Sequence, residues 1–186
     1  EGGDAVFVEA LELVLVVVLD LLTEAPAPVL AAGGIGTGRQ VAAALALGAQ
    51  GGWMGSAFLT SAEYDLGERL DSGRSVIQEA MLRATSADTV RRRIYTGKPA
   101  RLLKSRWTDA WDAPDAPEPL PMPLQNILVS EAHQRMSESA DPTAVAMPVG
   151  QIVGRMNEIR PVADIIAELV AGFEEATKRL DTIREG

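Results

Sequence analysis

A chain of 186 residues with 47% hydrophobic and 23% charged side chains has the make-up of a globular domain. It contains no cysteine and a single histidine, which excludes a disulfide framework, a thiolate metal centre, a cysteine nucleophile and a histidine-rich metal site. A net charge of −9 argues against nucleic acid or an anionic membrane as a general partner, and the composition agrees with a cytoplasmic protein.

The first element is the apolar run Val6–Leu22. A membrane span needs about 20 mostly apolar residues, and Glu12 and Asp20 leave only seven uncharged residues between them. A secretory signal has a basic start, whereas this chain opens with Glu1 and Asp4. A buried strand and helix are expected here.

Pro28–Leu59 carries the strongest signal. Pro28–Ala32 is a short apolar run bounded by glycines, as in a strand buried on both faces. Gly33, Gly34, Gly36 and Gly38 then permit tight turns and close backbone approach to a ligand. Thr37 and Gln40 have capping-box spacing at the start of an alanine-rich helix over Arg39–Leu47, which Gly48 ends. Trp53-Met54 reads as the heart of a second buried strand, closed by Gly55-Ser56, so the whole segment is a βαβ unit.

Three glycine-loop chemistries compete for this segment. A dinucleotide fingerprint fails, because the frame from Gly34 reaches Arg39 where the third glycine belongs. A P-loop fails, because Arg39 and Gln40 replace its lysine and hydroxyl. The phosphate site of a (β/α)8 barrel fits, with backbone N–H groups at Gly33-Gly34 and Gly55-Ser56 aimed at one anion and the Ser56 hydroxyl adding a bond. The competing interpretation is a glycine turn that only packs a helix close to a sheet; the recurrence of two glycine turns one βα unit apart favours phosphate.

Past Leu59 the pattern turns helical. Thr60 and Glu63 suggest a capped helix ending near Gly73, and Ser75–Arg83 and Ala87–Tyr95 have helical spacing, with Ser86 as N-cap and Gly97 as stop. The basic set Arg91–Arg93, Lys98, Arg101, Lys104 and Arg106 reads as a solvated helix face, the alternative being a landing strip for a coenzyme A phosphate. Five prolines between Pro114 and Pro123 impose an extended connector. Helices are expected over Leu124–Met136, Gln151–Ile159 and Val162–Ile183. His133, on the first of these, reads as surface or interhelical packing rather than catalysis.

These residues resemble a known family. AAGGIGTGRQVAAALALGAQGGWMGSAFL (Ala31–Leu59) is similar to the flavin-phosphate segment of the nitronate monooxygenase (2-nitropropane dioxygenase-like) family, which is close to the flavin-dependent enoyl-acyl-carrier-protein reductases. The likeness continues loosely through SADTVRRRIYTGKPARLLKSR (Ser86–Arg106) and returns at Gly150-Gln151 and Gly154. It implies an α/β fold: the C-terminal part of an FMN-binding TIM (β/α)8 barrel followed by a helical extension, in a chain too short for the usual 250 or so residues. It implies that Gly33, Gly34, Trp53, Met54, Gly55 and Ser56 hold the FMN phosphate. Gln151, with Met147 and Met156, would lie near cofactor or substrate, although methionine as core filler is the preferred account.

The expected division is 1–72 for the last βα units, 73–111 for a helical segment, 112–123 for the connector and 124–186 for the extension. The family's catalytic histidine, usual in an upstream Gly-Gly-His stretch, is missing; Glu1–Asp4 is at most a remnant of that stretch, so no catalytic residue is assigned. The resemblance implies an oxidoreductase acting on alkyl nitronates or on an acyl-thioester. An NAD(P)H-dependent enoyl reductase and a non-catalytic phosphate-binding barrel remain as alternatives, and homo-oligomerisation stays open.

Overall fold

The computed structural model describes residues 27–185. The strand and helix expected in Val6–Leu22, and the Glu1–Asp4 stretch, lie outside them. The described residues form two compact units, 27–55 with 161–185, and 56–160. No helix among them is long and apolar enough to cross a membrane.

The first unit opens with the βαβ element. β1 (Leu30–Ala32) and β2 (Gly51–Trp53) run parallel, in the register Leu30 to Gly51 and Ala32 to Trp53. Between them α1 (Gly38–Ala46) is built from strong helix formers and is capped by Thr37, whose hydroxyl oxygen accepts from the Gln40 N–H at 3.3 Å. Gly48, at φ +99°, supplies the left-handed residue that ends it. The expected limits therefore shift by one residue at each end. α5 (Val162–Glu185) returns at the far end of the chain and packs on α1.

Burial of the strands differs from expectation. Val29 is buried, but all three residues of β1 are only partly so, and Trp53 is 56% exposed. A Cβ placed on Gly52 would touch Ile35 and Val41 at 3.8 Å, so Gly52 faces α1. Strand alternation then turns Trp53 to the other face, away from the helix.

The second unit is built around a core that includes Val76, Met81, Leu103, Val145, Val153 and Met156. Its elements are α2 (Val76–Arg83), the antiparallel strands β3 (Thr89–Arg92) and β4 (Ala100–Leu103), α3 (Arg106–Trp111) and α4 (Leu124–Ser137). α2 and α4 match the expected helices.

Three expected helices take other forms. Residues 89–92 are a strand, because the Asp88 carboxylate accepts from the Thr85 N–H and hydroxyl and closes the helical start after one turn. Arg101 then reaches Thr89 Oγ1 at 3.1 Å across the ladder. Residues 60–73 do not form a helix, because their start is committed elsewhere: the Ala62 N–H donates to Arg160 O at 2.8 Å, and the Arg160 N–H to Thr60 O at 3.3 Å. Gln151–Arg155 is a short 3-10 run, pressed so closely on residues 85–86 that a Cβ on Gly154 would come within 2.6 Å of Ser86 Oγ.

Candidate functional site

The parallel register decides where the glycine turns lie. Ala32 pairs with Trp53, so Gly33-Gly34 and Met54-Gly55 leave the same, C-terminal end of the two parallel strands, whose backbones lie about 4.8 Å apart. Gly33 and Gly34 adopt φ of +89° and +70°, the left-handed region in which a side chain is strained. A Cβ on Gly34 or on Gly55 would meet nothing within 4 Å among the described residues. At Gly34 and Gly55 the backbone is thus uncovered by any other described residue, as an anion held by main-chain N–H groups requires.

Gln40 organises the loop between β1 and α1. Its Oε1 accepts from the Gly36 N–H at 2.9 Å and from the Thr37 hydroxyl at 3.1 Å, while its Nε2 donates to Gly34 O at 2.8 Å. In a capping box this side chain would return to the N-cap N–H; here it reaches one residue further back and holds the Gly34–Thr37 turn. The Thr37–Gln40 spacing signals a cap in the sequence, and the reach to Gly34 is what sequence reasoning missed.

Ser56 opens the second unit directly after Gly55. Its Oγ accepts from the Gly150 N–H at 2.9 Å, a contact across 94 residues. A hydroxyl that accepts one bond still has its proton to donate, so Ser56 remains able to serve an anion. The same bond brings Gly150-Gln151 beside Ser56. The Gln151 side chain is exposed, and its carbonyl accepts from the Ser86 hydroxyl at 2.6 Å. Met156 is buried in the core and Met147 packs against it, as filler would.

The basic set is largely committed to internal bonds and does not form a helix face. Arg92 makes a forked pair with Asp112 at 2.7 and 2.8 Å, Arg93 donates to Gly97 O, Arg101 to Thr89, Lys104 to Ala87 O and Arg106 to Asp141. Their partners hold the Asp112 and Asp141 carboxyls below the usual range; hydrogen bonding from Arg92 is the main cause at Asp112 and from Thr143 at Asp141.

His133 sits in an aromatic cluster, stacked on Tyr95 at 4.4 Å and edge-on to Trp107 at 5.5 Å, with Trp111 beyond. Burial lowers its pKa to about 4. Its Nε2 and the Trp107 Nε1 have no hydrogen-bond partner among the described residues. It serves packing, and its neighbours are rings.

Residues 2–172 match the family model for nitronate monooxygenase. The chain belongs to the nitronate monooxygenase family. It is 47% identical over 161 residues to a Mycobacterium tuberculosis protein named "Putative monooxygenase Rv1533", covering 83% of this chain and 41% of that one. It is 32% identical over 148 residues to a "Probable nitronate monooxygenase" of Staphylococcus aureus, covering 77% and 38%. FabK from Thermotoga maritima superposes with a TM-score of 0.74 at 30% identity, over 98% of this chain and 58% of that one. The nitroalkane oxidase of Streptomyces ansochromogenes gives 0.75 at 28%, over 96% and 54%.

The chain therefore spans about two fifths of the length of the curated relatives it matches, and carries part of a TIM barrel with a C-terminal helix. The family is one of oxidoreductases, related to the enoyl reductases.

Proposed function

We propose that the protein is an FMN-dependent oxidoreductase that acts on alkyl nitronates, and that Gly33, Gly34, Trp53, Met54, Gly55 and Ser56 form its FMN-phosphate site. The observation that carries this is the pair of glycine turns at one end of β1 and β2, open among the described residues where Cβ atoms of Gly34 and Gly55 would stand. Bound FMN would supply the redox chemistry, which no side chain of this chain can provide.

The protein's own residues bind and orient. Main-chain N–H groups of the two turns and the positive end of α1 neutralise the phosphate. The Ser56 hydroxyl donates to it while accepting from Gly150. Gln151, whose side chain is exposed, is the residue proposed to offer an amide to a nitronate oxygen or an acyl carbonyl. A small anionic substrate is preferred over a coenzyme A thioester, because the basic set that would receive the thioester's phosphates is committed to internal bonds.

The intact protein purified under native conditions is expected to show visible flavin absorbance and to release FMN on heating; a colourless protein with no releasable FMN would end this proposal. Gly55→Leu is expected to lose FMN while keeping its melting temperature, since no described residue lies within 4 Å of a Cβ at Gly55. Retention of FMN by that variant would move the phosphate site elsewhere. Under anaerobic conditions, bleaching by an alkyl nitronate but not by NADPH supports the monooxygenase. Bleaching by NADPH favours the second reading, an enoyl reductase, which the likeness to FabK supports.

A further inference from the structure

Resting on the FMN reading, we propose that the C-terminal helix α5 is a positioning element of the cofactor site, acting through a backbone contact between Gly38 and Gly172. Gly38 is the first residue of α1 and is buried. A Cβ built on it would lie 2.0 Å from Leu169 O, 2.2 Å from Phe173 N and 2.6 Å from the Gly172 carbonyl carbon. From the other side, a Cβ on Gly172 would stand 3.5 Å from both Cα and N of Gly38 and 3.8 Å from the Arg39 N. The two helices meet main chain to main chain.

Packed helices usually sit 8–10 Å apart, axis to axis, because side chains separate them. Glycine at the crossing removes that separation. Gly38 needs no other reason to be glycine: it is an ordinary helical residue, and the turn before it is made by Gly33 and Gly34.

The crossing falls on the one part of α1 that matters to an anion. The first turn of a helix carries its unpaired N–H groups and the positive end of its dipole. Gln40 braces the glycine loop from within, through Gly34 and Gly36. α5 braces the same turn from behind, at Gly38 and Arg39. Any side chain that wedges α5 away from Gly38 releases the start of α1.

The test is a size series at Gly172 in the intact protein, with two readouts: the FMN dissociation constant, and amide hydrogen exchange over residues 33–40 without FMN. Gly172→Ala places a methyl group at ordinary contact distance and is expected to weaken FMN least in the series. Gly172→Leu is expected to weaken FMN binding by about tenfold or more, equivalent to about 1.4 kcal/mol, and to speed exchange at Gly36–Gln40 with helix content unchanged. Gly172→Val should fall between them, and it carries the test if the leucine variant does not fold. Unchanged affinity and exchange in the folded valine or leucine variant would overturn the proposal. If the intact protein binds no FMN, the FMN reading and with it the cofactor role fail, while the exchange readout still reports separately whether α5 braces the loop.

Discussion

Two helices of this chain, one in each unit, begin with the same short pattern, a hydroxyl residue followed three positions later by glutamine. Thr37 and Gln40 start α1; Ser75 and Gln78 start α2. At α2 the pattern gives a reciprocal capping box: Gln78 N–H donates to Ser75 Oγ at 3.1 Å, and Ser75 N–H donates to Gln78 Oε1 at 3.0 Å. Gln78 is only 2% exposed, and its Nε2 also donates to Ser61 O at 2.8 Å, seventeen residues away. At α1 the glutamine passes over its cap residue and secures a glycine turn instead. One device stitches a core together; the other holds a loop in shape beside open space. What differs is the preceding sequence, where four glycines allow the chain to fold back to the amide.

The comparison is broken most directly at Gln78. Gln78→Leu leaves the buried Ser75 N–H and Ser61 carbonyl without partners, and is expected to cost about 2–4 kcal/mol, read as a lower urea midpoint for residues 56–160. It should alter FMN affinity less than stability, because neither side-chain bond it removes is made by a residue proposed to hold FMN. An affinity loss larger than the stability loss would break the contrast with Gln40.

The second expectation is a pH dependence. His133 has a pKa of about 4 in the folded protein, lowered by burial from its ordinary 6.5. Between these values the unfolded chain takes up the proton and the folded one does not, so stability is full above pH 6.5 and falls as pH drops towards 4. Allowing for solvent screening at a half-buried ring, the loss is no more than about 2 kcal/mol. Asp112 is held below its ordinary 3.8 by Arg92, so its stabilisation is lost only at lower pH, and the two windows separate. Fluorescence of Trp107 and Trp111 beside His133 should change across pH 6.5 to 4 in a denaturant titration. His133→Phe should flatten that change; an unaltered profile would assign it to another group.

How much of this was legible in the sequence follows the distance over which each element is decided. The βαβ unit is local: Thr37 caps, Gly48 stops, and the two glycine turns recur within one helix length, so the sequence shows them. α4 and α5 are legible from their helical spacing. β3 is not, because Thr89–Arg92 carries no alternating apolar face and is held as a strand by Arg101 and by the pairing with β4. Residues 60–62 are not legible either, since their partner Arg160 lies about a hundred residues on. The exposure of Trp53 could not be read from a run of apolar letters; it depends on which face Gly52 turns to α1. At the site, the glycines were visible and their supports were not. Gly38 reads as one more flexible turn residue until Gly172 comes up against it.

The smallest expected effect on stability is the sharpest test of the opening contrast. Gln40→Leu removes three side-chain hydrogen bonds where Gln78→Leu removes two, so a count of bonds alone predicts the larger cost at Gln40. Burial predicts otherwise. The groups around Gln40 are only partly buried, and the Gly36 N–H and Gly34 carbonyl can turn to water when the amide is gone. The folding cost should then be about 1 kcal/mol, well under that at Gln78. Freed from the amide, the Gly34–Thr37 turn samples more conformations, and FMN must order it again on binding. The affinity loss should therefore exceed the stability loss, the reverse of the order at Gln78. Equal folding costs at the two glutamines would mean that the glycine loop is part of a packed core, and that its open face needs an explanation other than a bound phosphate.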